Sequence, residues 1–217
     1  MKPSNTKEVI QNSINRYPLE LTKFKSTNYQ PQPHFRNRLN WDHFTVHIPL
    51  WNEVLNHFFQ NSKSLDFLEL GSGNGLCANY LLDSFSCYLD TVDMEELRIV
   101  EEDGKKYEIS TIKNLQPFID QERCTFHLMN TKQFLLKNQD KKYDFIYIDA
   151  SHDKDWVLFD AVNSFSLLKT NGLMIFDDYG WGECGVGIDS FLSSYQNNIE
   201  IFHKGYQVMI IKRDELK

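Results

Sequence analysis

The chain has 217 residues, 41% of them hydrophobic, which suits one well-packed α/β domain with an appendage and is short for two domains. A formal net charge of −7 argues against a general nucleic-acid binder, which needs a basic face for phosphates, and no stretch approaches a membrane span or the apolar core of a signal peptide. Cys77, Cys87, Cys124 and Cys184 form no CxxC pair, so neither a zinc site nor a disulfide framework is suggested and a reduced, cytoplasmic setting fits.

Residues 1 to 40 are rich in Asn, Gln, Lys and Pro, and YQPQP at Tyr29 to Pro33 cannot be a helix interior. Through Trp51 there are seven Lys/Arg against three Asp/Glu, whereas the remainder has 16 against 27. Residues 1–48 are therefore expected to form a basic arm or cap, partly facing the substrate, beside an acidic domain over 49–217. From Pro49, Leu50, Val54, Leu55, Phe58 and Phe59 recur at helical spacing and predict an amphipathic helix. Short apolar runs then alternate with helix-like segments: LDFLEL at 65–70, CYLDTV at 87–92, CTFHL at 124–128, YDFIYI at 143–148 and GLMIF at 172–176. The clearest helical segment is Trp156 to Lys169, with Val157, Ala161, Phe165 and Leu168 on one face. This alternation predicts a parallel sheet with helices on both faces. IEIF at 199–202 and YQVMII at 206–211 are joined too closely for a crossover, so they must pair antiparallel.

In an open parallel sheet, ligands bind beyond the carboxyl ends of the strands, so the residues just past each run are the candidates for a site. The first run leads into ELGSGNG, Glu69 to Gly75, and then into a helical segment. Glycines 71, 73 and 75 permit a tight turn and close approach of a ligand to the backbone. A dinucleotide fingerprint would place its third glycine at position 76, where Leu76 stands, and no GK[ST] comes after it to make a P-loop. The second run ends at Asp93, eighteen residues beyond Gly75, where a carboxylate can accept ribose hydroxyls. The fourth run stops at Asp149, with Ser151, His152, Asp153 and Asp155 behind it, and the fifth stops at Asp177-Asp178.

Glu69-x-Gly71-x-Gly73-x-Gly75, Asp93, YDFIYIDASH, LLKTNGLMIFDDY and GYQVMIIK resemble a class I S-adenosylmethionine (SAM)-dependent methyltransferase, most closely methyltransferase domain family 24, over roughly His43 to Lys212. Ala150 replaces the Gly usual in IDGSH, and Asn171 replaces a common Gly or Pro, neither of which removes a chemical group. The resemblance implies a Rossmann-like α/β fold with a seven-stranded, mostly parallel sheet, an antiparallel last strand and helices on both faces. It implies SAM as cofactor, with Glu69, Gly71, Ser72, Gly73, Gly75, Asp93, Met94, Asn130 and Asp149 as its candidate contacts.

Methyl transfer from a sulfonium needs the acceptor positioned and deprotonated. His152 is the candidate base, beside Asp149, because imidazole titrates near neutrality; a surface histidine is the equal alternative. Asp149, Asp177 and Asp178 form an all-oxygen set that suits Mg²⁺ or another divalent cation, resembling catechol-type O-methyltransferases; the alternative is a helix-capping Asp149 and a solvated acid. Tyr179 and Trp181, in a loop with glycines at 180, 182, 185 and 187, are candidate substrate contacts, with Trp41, Phe44, Trp51, His43 and His47 on an opposite wall and core on the first helix as the alternative for Trp51. The reading is a methyltransferase acting on a small-molecule hydroxyl of sugar or natural-product type, with no nucleic-acid or membrane partner; a homodimer is compatible with it. A nucleotide-dependent oxidoreductase and a non-catalytic SAM-binding protein are the alternatives.

Overall fold

Alternation along the strands decides how the layers stack. The computed structural model describes residues 44–102 and 104–214. A short 3₁₀ turn, Thr45–His47, runs into helix α1 (Ile48–Phe59), with Pro49 in the first turn, where its missing N–H costs nothing. Strand β1 (Leu65–Leu70), helix α2 (Leu76–Ser84) and strand β2 (Cys87–Asp93) come next, then a hairpin of β3 (Leu97–Glu102) and β4 (Lys105–Ser110), and helix α3 (Thr111–Asp120). The chain continues through β5 (Cys124–Leu128), α4 (Thr131–Lys137), β6 (Tyr143–Ile148), α5 (Lys154–Leu167), β7 (Leu168–Phe176), α6 (Cys184–Ser194), β8 (Ile199–Lys204) and β9 (Val208–Lys212). The main sheet has seven strands in the order β5-β2-β1-β6-β7-β9-β8. Its first five strands pair in parallel, and β9 is antiparallel to both β7 and β8.

Each central strand sends alternate side chains into opposite cores. Phe67, Phe145, Tyr147, Leu173, Ile175 and Met209 pack under α1, α2 and α3. Leu68, Leu70, Ile146, Ile148, Met174 and Phe176 pack under α4, α5 and α6. These strands are apolar on both faces, which is why they read as continuous runs. The reversal of strand order falls between β1 and β6, at the switch point where such folds open a crevice.

Three predicted strands, 65–70, 124–128 and 143–148, coincide with β1, β5 and β6. Helix α5 ends at Leu167, short of the predicted Lys169, because β7 starts at Leu168 and turns at Asn171, whose φ is +64°. The β3–β4 hairpin lies in a stretch for which no element is predicted.

Trp51 is the keystone of the N-terminal side. It is fully buried, with its ring edge-on to Phe44, Phe145 and Tyr147, and its indole N–H donates to Gln207 Oε1 at 2.8 Å. Trp51→Ala is expected to cost about 3–5 kcal/mol in urea unfolding, since it opens a cavity and leaves Gln207 without that donor. A loss below about 1 kcal/mol would show that α1 is dispensable to the core.

Candidate active site

Backbone hydrogen bonds carry the ladder one residue past the strands. Gly71 N–H donates to Val92 O, Asp149 N–H to Leu70 O, and Asp177 N–H to Ile148 O. Gly71, Asp93, Asp149 and Asp177 thus stand at one sheet edge, each on a different strand. Gly71 has φ +93°, and a Cβ there would fall 1.7 Å from the Asp149 carbonyl oxygen. Only glycine lets the two strand ends close this tightly.

The glycine loop is held from behind by the segment after β2. Asp93 Oδ2 accepts from Gly73 N–H at 3.0 Å and from Arg98 Nη2 at 2.8 Å. Arg98 also donates to the Gly73 carbonyl, which accepts from Thr111 Oγ1 at 2.8 Å as well. Asn114 Nδ2 donates to the Asn74 carbonyl at 2.9 Å. At Gly73 a Cβ would meet nothing within 4 Å, so that position faces open space. Gly75 does not. At φ +83° it turns the chain into α2 with Leu115 packed behind it, which keeps it out of the cavity wall and corrects its place among the ligand contacts.

Below the loop, register places Thr91 and Tyr147 on either side of Glu69. Ser72 Oγ lies 2.6 Å from Thr91 Oγ1, which donates to Glu69 Oε2. Glu69 Oε1 has no hydrogen-bond partner among the described residues. Glu69 is fully buried, and desolvation pushes its pKa up to about 7 against the partial relief of the Thr91 bond.

The acids after β6 and β7 divide into two roles. Asp177 is buried and satisfied: Oδ2 accepts from Tyr147 OH, and Oδ1 accepts from Asp178 N–H at 2.9 Å and Gln207 Nε2 at 3.2 Å. His47 Nε2 lies 3.9 Å from the same Oδ1. Asp178, at φ +56°, turns its carboxylate the other way, where it accepts from Tyr206 OH and meets His152 Nε2 at 2.8 Å. The ligand atoms of Asp149, His152 and Asp178 lie within 4.8 Å of one another. Of the predicted triad, Asp149 and Asp178 converge with His152, whereas Asp177, which also lines the cavity, has both oxygens engaged by Tyr147, Asp178 N–H and Gln207. Burial, then Asp177, Asp178 and Glu69, push Asp149 well above the usual carboxylate range. Burial raises Asp177 too, with His47 acting against it.

One cavity of about 750 Å³ joins these groups. Glu69, Ser72, Gly73, Asp93, Met94 and Asn130 line it together with Tyr147, Asp149, His152, the Asp177-Asp178 pair, Trp181 and Tyr206. Asn130 also caps α4, accepting from Gln133 N–H at 2.8 Å. Trp181 is 61% exposed, with its ring centroid 6.2 Å from that of His152. Tyr179 does not line the cavity: beyond the left-handed turn at Asp178 it points away, and its hydroxyl bonds Asp189. Phe44 lines the wall, whereas Trp41 and His43 lie outside the described residues. Arg98, Trp156 and Tyr206 enter the site without having been singled out in the sequence. For Arg98 the available signal was Asp103-Gly104, a hairpin dipeptide.

A model for methyltransferase domain family 24, described as a methyltransferase domain, matches residues 68–179, just over half of the chain, and the chain belongs to that family. It is thus a class I SAM-dependent methyltransferase. Among solved structures, it is similar to the N-methyltransferase NodS from Bradyrhizobium japonicum WM9 in complex with S-adenosylhomocysteine (SAH), at 10% identity and TM-score 0.54, covering 97% of this chain and 100% of that one. A Klebsiella pneumoniae protein assigned as an O-methyltransferase matches at 14% identity and TM-score 0.56, covering 99% and 91%. MycE from the mycinamycin biosynthetic pathway, in complex with Mg, SAH and mycinamycin VI, matches at 15% and 0.55, covering 95% and 54%. At such identities the likeness speaks for the fold alone. No curated protein matches the sequence. No helix among the described residues is long and apolar enough to cross a membrane.

The raised pKa of Glu69 has a measurable consequence. Its folded value of about 7 exceeds an ordinary 4.5, so the unfolded chain releases this proton first and stability falls as pH rises between those values. The loss reaches ~3 kcal/mol. Thermal unfolding of the ligand-free protein should show Tm falling from pH 5 to pH 8, with a shallower fall in Glu69→Gln. Equal slopes would mean that Glu69 does not titrate in this window.

Proposed function

We propose that the protein is an O-methyltransferase for a small hydroxylated acceptor, deprotonated at the Asp149/His152/Asp178 cluster. The observation that carries this reading is the convergence of those three side chains in the cavity that the glycine loop also lines.

The residues at the loop end fit SAM. Glu69 Oε1 is a buried acceptor without a partner among the described residues, which suits an ammonium group. Gly73 leaves open the space that a side chain would fill, and Asp93 offers a carboxylate for ribose hydroxyls. Met94 and Asn130 line the same end, with Asn130 suited to an adenine edge. SAM supplies an electrophilic methyl group on a positive sulfur, so the protein has to supply alignment and a proton acceptor.

His152 fits the base. With its Nε2–H on Asp178, the imidazole keeps Nδ1 as the atom that takes the acceptor's hydroxyl proton, and Asp178 then stabilises the imidazolium. Tyr206 holds Asp178 in place by its hydroxyl, and the Tyr147 hydroxyl, which donates to Asp177, lies 3.3 Å from Asp149 Oδ2. A second reading rests on the same convergence: Asp149, His152 and Asp178 would hold a divalent cation, whose chemistry is to lower the pKa of a bound hydroxyl. Two carboxylates and an imidazole suit Mn²⁺ at least as well as the Mg²⁺ favoured by an all-oxygen set. Among the described residues lining the cavity, Arg98 is the only Lys or Arg, and it is engaged with Asp93. The acceptor end therefore favours a neutral ligand, such as a sugar or polyhydroxylated natural product, seated against Trp181, Tyr206 and Phe44. Phe44, just ahead of the 3₁₀ turn, contributes to this wall.

Transfer of labelled methyl from SAM to a panel of sugars, catechols and polyketide-type polyols, with Mn²⁺, with Mg²⁺ and with EDTA, tests the reading. Asp149→Asn and His152→Gln should each lower turnover about 100-fold or more while leaving SAM affinity within about threefold. Turnover that survives both changes would remove the cluster from the chemistry. Loss of activity in EDTA would select the cation reading over the free base.

A further inference from the structure

The segment between β2 and β5 contributes more than a connection. Beyond Met94, it reaches back into the cavity wall at Arg98, on the first strand of the β3–β4 hairpin. The guanidinium donates through Nη2 to Asp93 Oδ2 at 2.8 Å and through Nη1 to the Gly73 carbonyl. Its side chain is 14% exposed and that of Asp93 12%. Glu95 adds a carbonyl at 3.3 Å from Nη1 and a carboxylate oxygen at 3.8 Å from Nε. Because Gly73 N–H also donates to Asp93 Oδ2, loop and acid are joined twice, directly and through Arg98.

That arrangement matters because Gly73 and Asp93 are, with SAM at this end of the cavity, two contacts for one ligand. Gly73 sits at φ +53° and has no side chain of its own to anchor it, although Ser72 beside it is tied to Thr91. Thr111 takes part of this task from the start of α3, but among the described residues Arg98 alone bridges the loop carbonyl and the acid. A planar fork with separately directed N–H groups can serve both partners at once, and a point charge serves them less well.

We propose that Arg98 is a positioning residue for the cofactor, fixing Asp93 and the Gly73 turn as one unit before SAM arrives. The inference rests on assigning this end of the cavity to SAM. It makes the β3–β4 hairpin part of the cofactor site, and it requires Arg98 to help binding and not to compete for Asp93.

Calorimetric titration of the full chain with SAM and with SAH tests this. Arg98→Ala should weaken both ligands ~10-fold or more, the size expected for loss of charge-assisted hydrogen bonds that order a site. Arg98→Lys should keep only part of the affinity. Millimolar guanidinium chloride should restore part of it to Arg98→Ala, whereas tetramethylammonium chloride at the same ionic strength should not, a pattern that a merely structural side chain would not produce. Unchanged or tighter binding by Arg98→Ala, wild-type affinity in Arg98→Lys, or equal rescue by both salts would overturn the proposal. Should the alanine variant not fold, the lysine variant decides by itself. Failure of the wild-type protein to bind SAM would instead overturn the cofactor site on which the inference rests.

Discussion

The site depends on one close contact, that of Gly71 with the carbonyl of Asp149. A Cβ at position 71 would fall 1.7 Å from that oxygen, so the end of β1 and the end of β6 can be neighbours only because a side chain is missing. This contact sets two halves of one cavity side by side. The glycine loop leaves β1 on one side, and the Asp149–His152 turn leaves β6 on the other. A ligand bound by the loop is thereby delivered next to the acids, which is the geometry that an in-line transfer requires.

The polar groups at this edge lie over a core that is apolar on both faces of the sheet, and the low dielectric there explains their behaviour. Glu69, Asp149 and Asp177 are all held toward their protonated forms by burial. In water, acids at this spacing would ionise with little mutual cost; above a desolvated core that cost rises. Positive charge brought to the cavity, on a sulfonium, an ammonium or a metal ion, would relieve that cost. The left-handed backbone at Asp178 belongs to the same design, because it sends two consecutive acids to different partners, Asp177 to Tyr147 and Gln207 and Asp178 to His152 and Tyr206.

Much of the fold was legible in the sequence. Doubly buried strands announce themselves as unbroken apolar runs, and the glycines of ELGSGNG lie where a strand gives way to a helix. The hairpin was harder to read because LRIVEE and KKYEIS are short, charged strands that bury little, and their signal is a dipeptide rather than a run. Within the site, sequence position marked Asp149, His152 and the Asp177-Asp178 pair but not which acid points where. Neighbouring residues of a strand end face opposite ways, and a turn at positive φ resets the alternation. Tyr179 was misplaced for that reason. Arg98 comes back from the hairpin just after β2 and Tyr206 from the β8–β9 turn, and no pattern in the sequence aims either at the site.

The central claim is that the crevice beyond β1, β2 and β6 is a SAM site. Calorimetric titration of the purified protein with SAM, SAH and NAD⁺, repeated on Gly73→Val, addresses it most directly. The account predicts saturable binding of SAM and SAH, none of NAD⁺, and loss of both sulfur ligands in a variant that still unfolds cooperatively. Binding of NAD⁺ alone, or SAM affinity unchanged by a valine at position 73, would contradict it.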